Sequence, residues 1–538
     1  MNCVTPVNNT QALFRSPLQW RHALLLLTLL VLLSQPFSVQ AQAQAQRLPG
    51  NHSLWGEVIR GFTLNERKDP RLTPHILWFK KNPDYVNRVL NRARPYLYHI
   101  VKRVKKKNLP LELALLPAIE SAFRAYAYSP GRAAGLWQFI PETGKTYGLK
   151  QNWWIDQRRS TIASTDAALH FLKDMSREFK GDWLLALSSY NAGAGNVRKA
   201  IRKYYEAEKK KNRKKGILKA VRKPSFWDLN LPKETQGYVP RLLAFVRFIE
   251  TSKKYKFKLP YIPNRPLTQQ VSTGGQQIDL SLAADLSGLP LEELYQHNAG
   301  LNQWATPPDG PHQLMLPVQN VNQFENNLRN APQQLTQWRR HTVKKGETLS
   351  TIAQKYHSTT TSIKQQNQLR SHKIRAGNTL TIPVPMRPMK SYTLSSGERL
   401  NRLQNKQRPG KRITHRVESG DTLWDIAKKH GVSSRQLAQW NGMAPGDLLS
   451  IGKKLTLWSR PATTSLPELR SRPDFLSKLA TQTIYYKVRP NDTLSEIAKK
   501  FNTSTKSLMR LNKIKKSALI KAGDTLSIRL DATRTTTK

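Results

Sequence analysis

Three stretches of the second half of the chain are copies of one pattern: HTVKKGETLSTIAQKY (341–356), HRVESGDTLWDIAKKH (415–430) and YKVRPNDTLSEIAKKF (486–501). Val343, Val417 and Val488 align, as do Thr348, Thr422 and Thr493. Each Thr is followed by Leu, and then by Ile and Ala at helical spacing. A glycine (Gly377, Gly452, Gly523) falls 34 or 35 residues after each Val and introduces a second strand-like run. A repeat of this length constrains the fold more than any single motif, because every copy must bury its own small core. The pattern predicts a strand, a tight turn, two short helices and a returning strand. The Thr or the acid of the turn caps the first helix. Leu, Ile and Ala form the buried stripe of that helix. Such a unit is suited to binding and has no cleft deep enough for chemistry. A weaker fourth unit spans 266–318. It keeps the strand–helix–helix–strand order without the Asp-Thr-Leu turn.

The repeats resemble LysM modules, which bind glycans containing N-acetylglucosamine, over 341–384, 414–458 and 485–530. The resemblance implies a shallow sugar groove at the first turn, formed with the loop before the second strand. Its residues would be Gly346, Glu347, Thr348 and Leu349; Gly420, Asp421, Thr422 and Leu423; and Asn491, Asp492, Thr493 and Leu494. In the third copy Asn491 replaces the turn glycine, and Asn tolerates left-handed geometry. The 266–318 unit reads as a degenerate copy.

The other end of the chain addresses location. Arg15, Arg21 and His22 precede an eleven-residue apolar run, ALLLLTLLVLL (23–33), and alternating small residues follow it. This is the pattern of a secretory signal peptide over 1–41, with cleavage after Ala41, Ala43 or Ala45. The run is shorter than the roughly twenty residues of a spanning helix. The single cysteine, Cys3, precedes that run, so disulfides and thiolate catalysis are not expected in the mature chain, nor is a lipidated cysteine after it. With 88 Lys plus Arg against 35 Asp plus Glu, the formal net charge is +53. That surplus attracts polyanions at low salt. In an exported protein it addresses anionic envelope polymers or a membrane surface and no specific nucleic acid.

Between leader and repeats the texture is helical: a segment over 54–104, then a domain over 105–255. Ser164 and Asp166 are expected to open one helix, Asp182 to cap another, and KKKNRKK (209–215) to form a solvated loop. Residues 385–413 read as a basic linker, 459–484 as a second linker and 531–538 as a tail. In the helical domain ESAF (120–123), YSPGRAAGLWQF (128–139), TGKTYGL (143–149), DWLLALSSYNAG (182–193) and LPKETQGYVP (231–240) occur in order. Glu120 ends an apolar run, LELALLPAIE. Alone, it could be an exposed acid paired with Arg124 one turn on. If its face is buried, desolvation raises its pKa, as a general acid for a glycosidic oxygen requires.

These motifs resemble the lysozyme-like catalytic domain of soluble-type lytic transglycosylases. The expected architecture is therefore multidomain: a mainly α catalytic domain followed by small α+β (βααβ) modules. The resemblance implies that Glu120 is the catalytic acid and later the base. Ser129 and Gln138 would lie near it and the substrate, Gly135 would let the backbone approach the sugar, Tyr190 would place its hydroxyl by Glu120, and Asn191 would shape the pocket. Most glycosidases use two carboxylates. The signature offers one, and Asp156, Asp166 and Asp182 lie in no pattern that marks a second. The expected partner is the glycan strand of peptidoglycan, cut between N-acetylmuramic acid and N-acetylglucosamine without water. A goose-type hydrolase on the same scaffold and a non-catalytic wall-binding protein remain alternatives. The twelve histidines show no ligand spacing, so no metal and no cofactor is expected.

Overall fold

The computed structural model describes residues 53–64, 69–215 and 220–459, and in the third repeat 482–488, 492–500, 504–512, 514, 520 and 523–530. The leader, Asn491, most of the 459–484 linker and the tail lie outside the described residues. The chain divides into two units, one running through the second repeat and the other holding the third.

The helical part is built around Trp183–Ala192, which is apolar on nearly every side. Leu184 through Ser189 are all buried, as expected of a helix packed from all directions. Asp182 caps it by accepting from the Leu185 amide at 3.0 Å, and Gly193, at φ +83°, ends it. The hydroxyls of Ser188 and Ser189 donate to the carbonyls one turn back, at 2.7 and 2.9 Å, so no polar group is stranded in the core. Around this rod pack Thr161–Glu178 and Lys233–Glu250. Residues 54–104 share this core: Leu54, Val58, Leu90 and Leu97 belong to the same buried cluster as Leu185, Leu242 and Phe245.

Two local expectations are corrected. The helix Thr161–Glu178 is capped by Ser160, which accepts from Ala163. Ser164 is buried inside it, and Asp166 faces Arg103 at 3.3 Å. The cap falls earlier because Ser160 has the extended backbone a cap needs, following the 3-10 turn Gln157–Arg159. The KKKNRKK run is also not a loop. All but its last residue lie in the helix Ala194–Lys214, where cations near the carboxy-terminus complement the helix dipole.

Each repeat is a two-stranded antiparallel sheet with two short helices. In the first, Gln337–Thr342 pairs with Thr379–Val384 in the register Trp338↔Pro383. Thr348, Thr422 and Thr493 each accept from the amide three residues on, at 3.2, 3.1 and 3.2 Å. The weaker unit adopts the same order, with Thr268–Ser272 paired to Gln313–Pro317. A feature common to all four is an asparagine closing the second helix. Asn298, Asn367, Asn441 and Asn512 each bond back into their helix and exchange two bonds with one residue of the returning strand, at 2.6–2.9 Å.

The basic linker is more ordered than its composition suggests. It holds the helix Ser396–Asn405, and Tyr392 is fully buried with its hydroxyl donating to Asp279 at 2.8 Å. Arg387 pairs with Asp285 at 2.7 Å. The 268–333 module is also joined to the helical domain by backbone bonds, Asp156 N–Gly300 O and Asn302 N–Trp154 O, both at 2.8 Å.

Candidate active site

Glu120 is the last residue of a short helix, Leu116–Glu120, whose Leu116, Pro117 and Ala118 are buried. Beyond it the chain reverses through Ala122 and Phe123, both left-handed at φ +52° and +54°. Such geometry in non-glycine residues costs energy and concentrates at functional sites. Ser121 holds the reversal, with its hydroxyl within bonding distance of Pro117 O at 3.1 Å and Leu136 O at 2.9 Å. The first motif is thereby tied to the second.

The Glu120 carboxyl accepts a hydrogen bond from the hydroxyl of Tyr238, 118 positions away on the helix Lys233–Glu250. No pair with Arg124 forms. Burial pushes the carboxyl up to about 7. The Tyr238 bond pulls the other way, Glu234 adds a further upward push, and Arg241 a downward one. An acid so placed is half protonated near neutrality, the condition for both donating and accepting a proton.

Tyr190 was expected to place its hydroxyl by Glu120. Its hydroxyl donates to the carbonyl of Trp137 at 2.6 Å. It remains an electrostatic neighbour of the acid: burial first, then the Glu120 charge, hold its phenol far above the usual range. The hydrogen bond to the acid comes from Tyr238, a residue the sequence reading did not single out. Trp137 is fully buried and donates to Thr165 at 3.0 Å. Tyr190 also packs against Phe171 at 5.1 Å and Phe139 at 6.2 Å.

The remaining site residues hold the loop. Ser129 accepts from the amides of Gly131 and Ala133 at 3.2 and 3.0 Å, fixing its turn. Gln138, at φ +50°, donates to Gly135 O at 2.8 Å. Asn191 accepts from Thr235 at 2.7 Å, linking the Trp183–Ala192 helix to the helix of Tyr238. For Gly135 the close approach is to protein: a Cβ there, at φ +82°, would sit 1.9 Å from Arg158 O. A cleft of about 520 Å³ beside this loop is lined by Tyr96, Phe123, Arg124, Tyr126 and Tyr128 among others.

None of the three aspartates considered beside Glu120 is free. Asp156 is bidentate with buried Arg158, at 3.0 and 2.8 Å. Asp166 pairs with Arg103, and Asp182 caps its helix.

In the repeats the expected groove residues divide. Gly346 and Gly420, at φ +84° and +88°, make the turn, and the threonines cap. Leu349 and Leu423 are corrected to core residues, 2% and 3% exposed, because the helical stripe points them inward. Leu494, partly buried, packs against the corresponding cluster of the third copy. The turn acids also face the module. Glu347 meets His341, Asp421 meets His415 and Asp492 meets Tyr486, each at 2.7 Å.

Comparison with known proteins gives these features a family. Residues 98–213 match the transglycosylase SLT domain. Residues 268–333 match the LysM-like domain of lytic transglycosylase MltD, and 341–383, 415–458 and 486–529 match LysM domains. Membrane-bound lytic murein transglycosylase D of Escherichia coli K12 is 34% identical over 413 residues, which cover 74% of this chain and 85% of that protein. Cell wall-binding protein YocH of Bacillus subtilis is 37% identical over 121 residues, 22% of this chain and 35% of its own length. Among the described residues no helix is long and apolar enough to cross a membrane. The chain belongs to the family of membrane-bound lytic murein transglycosylase D, as a lytic transglycosylase with LysM modules that bind peptidoglycan.

Proposed function

We propose that Glu120 is the one group that moves protons in a non-hydrolytic cleavage of the glycan strand. Glu120 protonates the oxygen linking N-acetylmuramic acid to N-acetylglucosamine. The bond breaks to an oxocarbenium-like or oxazolinium-like species, helped by the sugar's own acetamido group. The Glu120 carboxylate then takes the proton from the C6 hydroxyl of the same muramic residue, and that oxygen closes a 1,6-anhydro ring. The observation that carries this reading is a carboxyl lifted to about 7 beside the Tyr238 hydroxyl, while Asp156, Asp166 and Asp182 are engaged elsewhere. One group can serve both steps only if its two protonation states are close in energy.

Mass spectrometry of digested sacculi tests it. Anhydro-ended products, lighter by one water than hydrolytic ones, are expected, and reducing muramic ends would overturn it. Glu120→Gln should abolish lysis and leave sacculus binding intact. The hydrolytic reading retains one supporting observation, since Glu234 lies near enough to raise the Glu120 carboxyl. Were it the second carboxylate of a hydrolase, Glu234→Gln would abolish lysis as completely as Glu120→Gln.

The reading also places the chain outside the cytoplasm, exported by its leader and retained at the wall by its modules. Several weak sites on one polymer bind far more tightly than one, because each later contact is intramolecular. The basic surface adds salt-sensitive attraction to anionic envelope polymers or the membrane surface.

A further inference from the structure

We infer that the junction between the 268–333 module and the first repeat is a separate binding site for an uncharged saccharide unit of the glycan strand. A cleft of about 490 Å³ opens there, within the size range of small-ligand sites. None of the turn residues Gly346, Glu347, Thr348 or Leu349 lines it. Its walls come from both modules, with Gln276 and Gln334 on one side and Trp338, Gln365 and Gln366 on the other.

Two properties set the ligand class. The first is charge. In a chain with 88 Lys plus Arg, no side chain lining this cleft is ionisable. A carboxylate or phosphate ligand would find no partner, whereas a neutral ligand meets no charge to desolvate. The second is the pairing of an aromatic face with amides. Trp338 is 39% exposed, and its indole N–H donates to Thr336 at 2.9 Å, which fixes the ring. Pro383 lies opposite it in the strand register. Among the described residues, the side-chain amides of Gln276, Gln334, Gln365 and Gln366 have no hydrogen-bond partner, whereas that of Gln277 is taken by Thr306 O at 2.7 Å. An amide offers both donor and acceptor, matching the hydroxyl and acetamido groups of an N-acetylhexosamine. The ring's C–H face packs on the indole. The site rests on peptidoglycan being the target, and extends the glycan contact beyond the repeat turns.

The test uses the full chain carrying Glu120→Gln, so that ligand is bound and not consumed. Calorimetry follows an N-acetylglucosamine tetramer, peptide-free glycan strands and free stem peptide. Trp338→Ala should weaken strand binding about tenfold, as loss of an aromatic anchor does. Trp338→Phe should recover most of it, and Gln366→Ala should weaken it about threefold. Unchanged melting of each variant separates lost binding from lost fold. Equal strand affinity in the parent and Trp338→Ala overturns the inference, as does a Trp338-dependent signal from stem peptide alone. A parent that binds no saccharide overturns the peptidoglycan reading along with it.

Discussion

The ionisation of Glu120 is set by opposing neighbours, and each can be removed singly. Tyr238→Phe takes away a hydrogen bond that favours the carboxylate, so the carboxyl should rise further and the alkaline limb of the pH–rate profile should move up from about 7. Glu234→Gln removes a like charge and should move the same limb down without abolishing lysis. The rate of turbidity loss of sacculi against pH reads both signs. Burial of a raised carboxyl also has a stability consequence. Its folded pKa exceeds the unfolded value, so its contribution is most favourable below the ordinary carboxyl range and is lost as pH rises through about 7. Glu120→Gln should therefore raise the melting temperature more at pH 8 than at pH 4. Glu120 could be read from sequence because its apolar run and the ordered motifs both point to it. Tyr238 could not be singled out, although its motif was visible. A contact across 118 positions is made by packing two helices, and only its burial within Lys233–Glu250 gives a signal.

At the scale of the element, the repeats show what a pattern reveals and what it hides. The strand–helix–helix–strand order and the Thr caps follow from spacing. The asparagine clamp was equally present in the sequence, at one position of every copy, but an Asn at a helix end also reads as an ordinary stop signal. Only the returning strand shows that it is a staple. Asn441 is 3% exposed and its side chain makes four hydrogen bonds, one of them accepted from Gln404. Asn441→Ala should cost its module about 2–4 kcal/mol by stranding buried backbone groups. Denaturant unfolding followed through Trp440 and Trp458 would measure it. The bonds that the turn acids make within their modules were hidden for a related reason: sequence gives their position but not their partners. Backbone bonds and then histidine hold Glu347 and Asp421 below the usual carboxylate range. Their contribution is present above the ordinary carboxyl pKa and fades as pH falls below about 4.

At the scale of the molecule, the 268–333 module is part of the enzyme's frame more than a pendant. Arg159 reaches from the helical domain to Ala299 O at 2.9 Å and to Asn302. Tyr126 donates to Tyr295 O at 3.0 Å, and Arg159 and Arg399 lie over its ring at 5.9 and 5.0 Å. The helical domain and this module should therefore melt together. Arg159→Ala should split that transition in calorimetry, with the module unfolding several degrees earlier. Sequence put the two parts in order but could not show the seam, which relies on backbone carbonyls and amides that carry no residue signature.

The same seam begins at a single missing methyl. Gly135 lies against the Arg158 carbonyl, and Arg158 anchors Asp156, whose amide reaches Gly300 of the neighbouring module. An alanine at 135 would wedge that stack open, and the disturbance would travel from the loop after the acid into the neighbouring module. A fault in the loop and a fault in the seam would then share one origin.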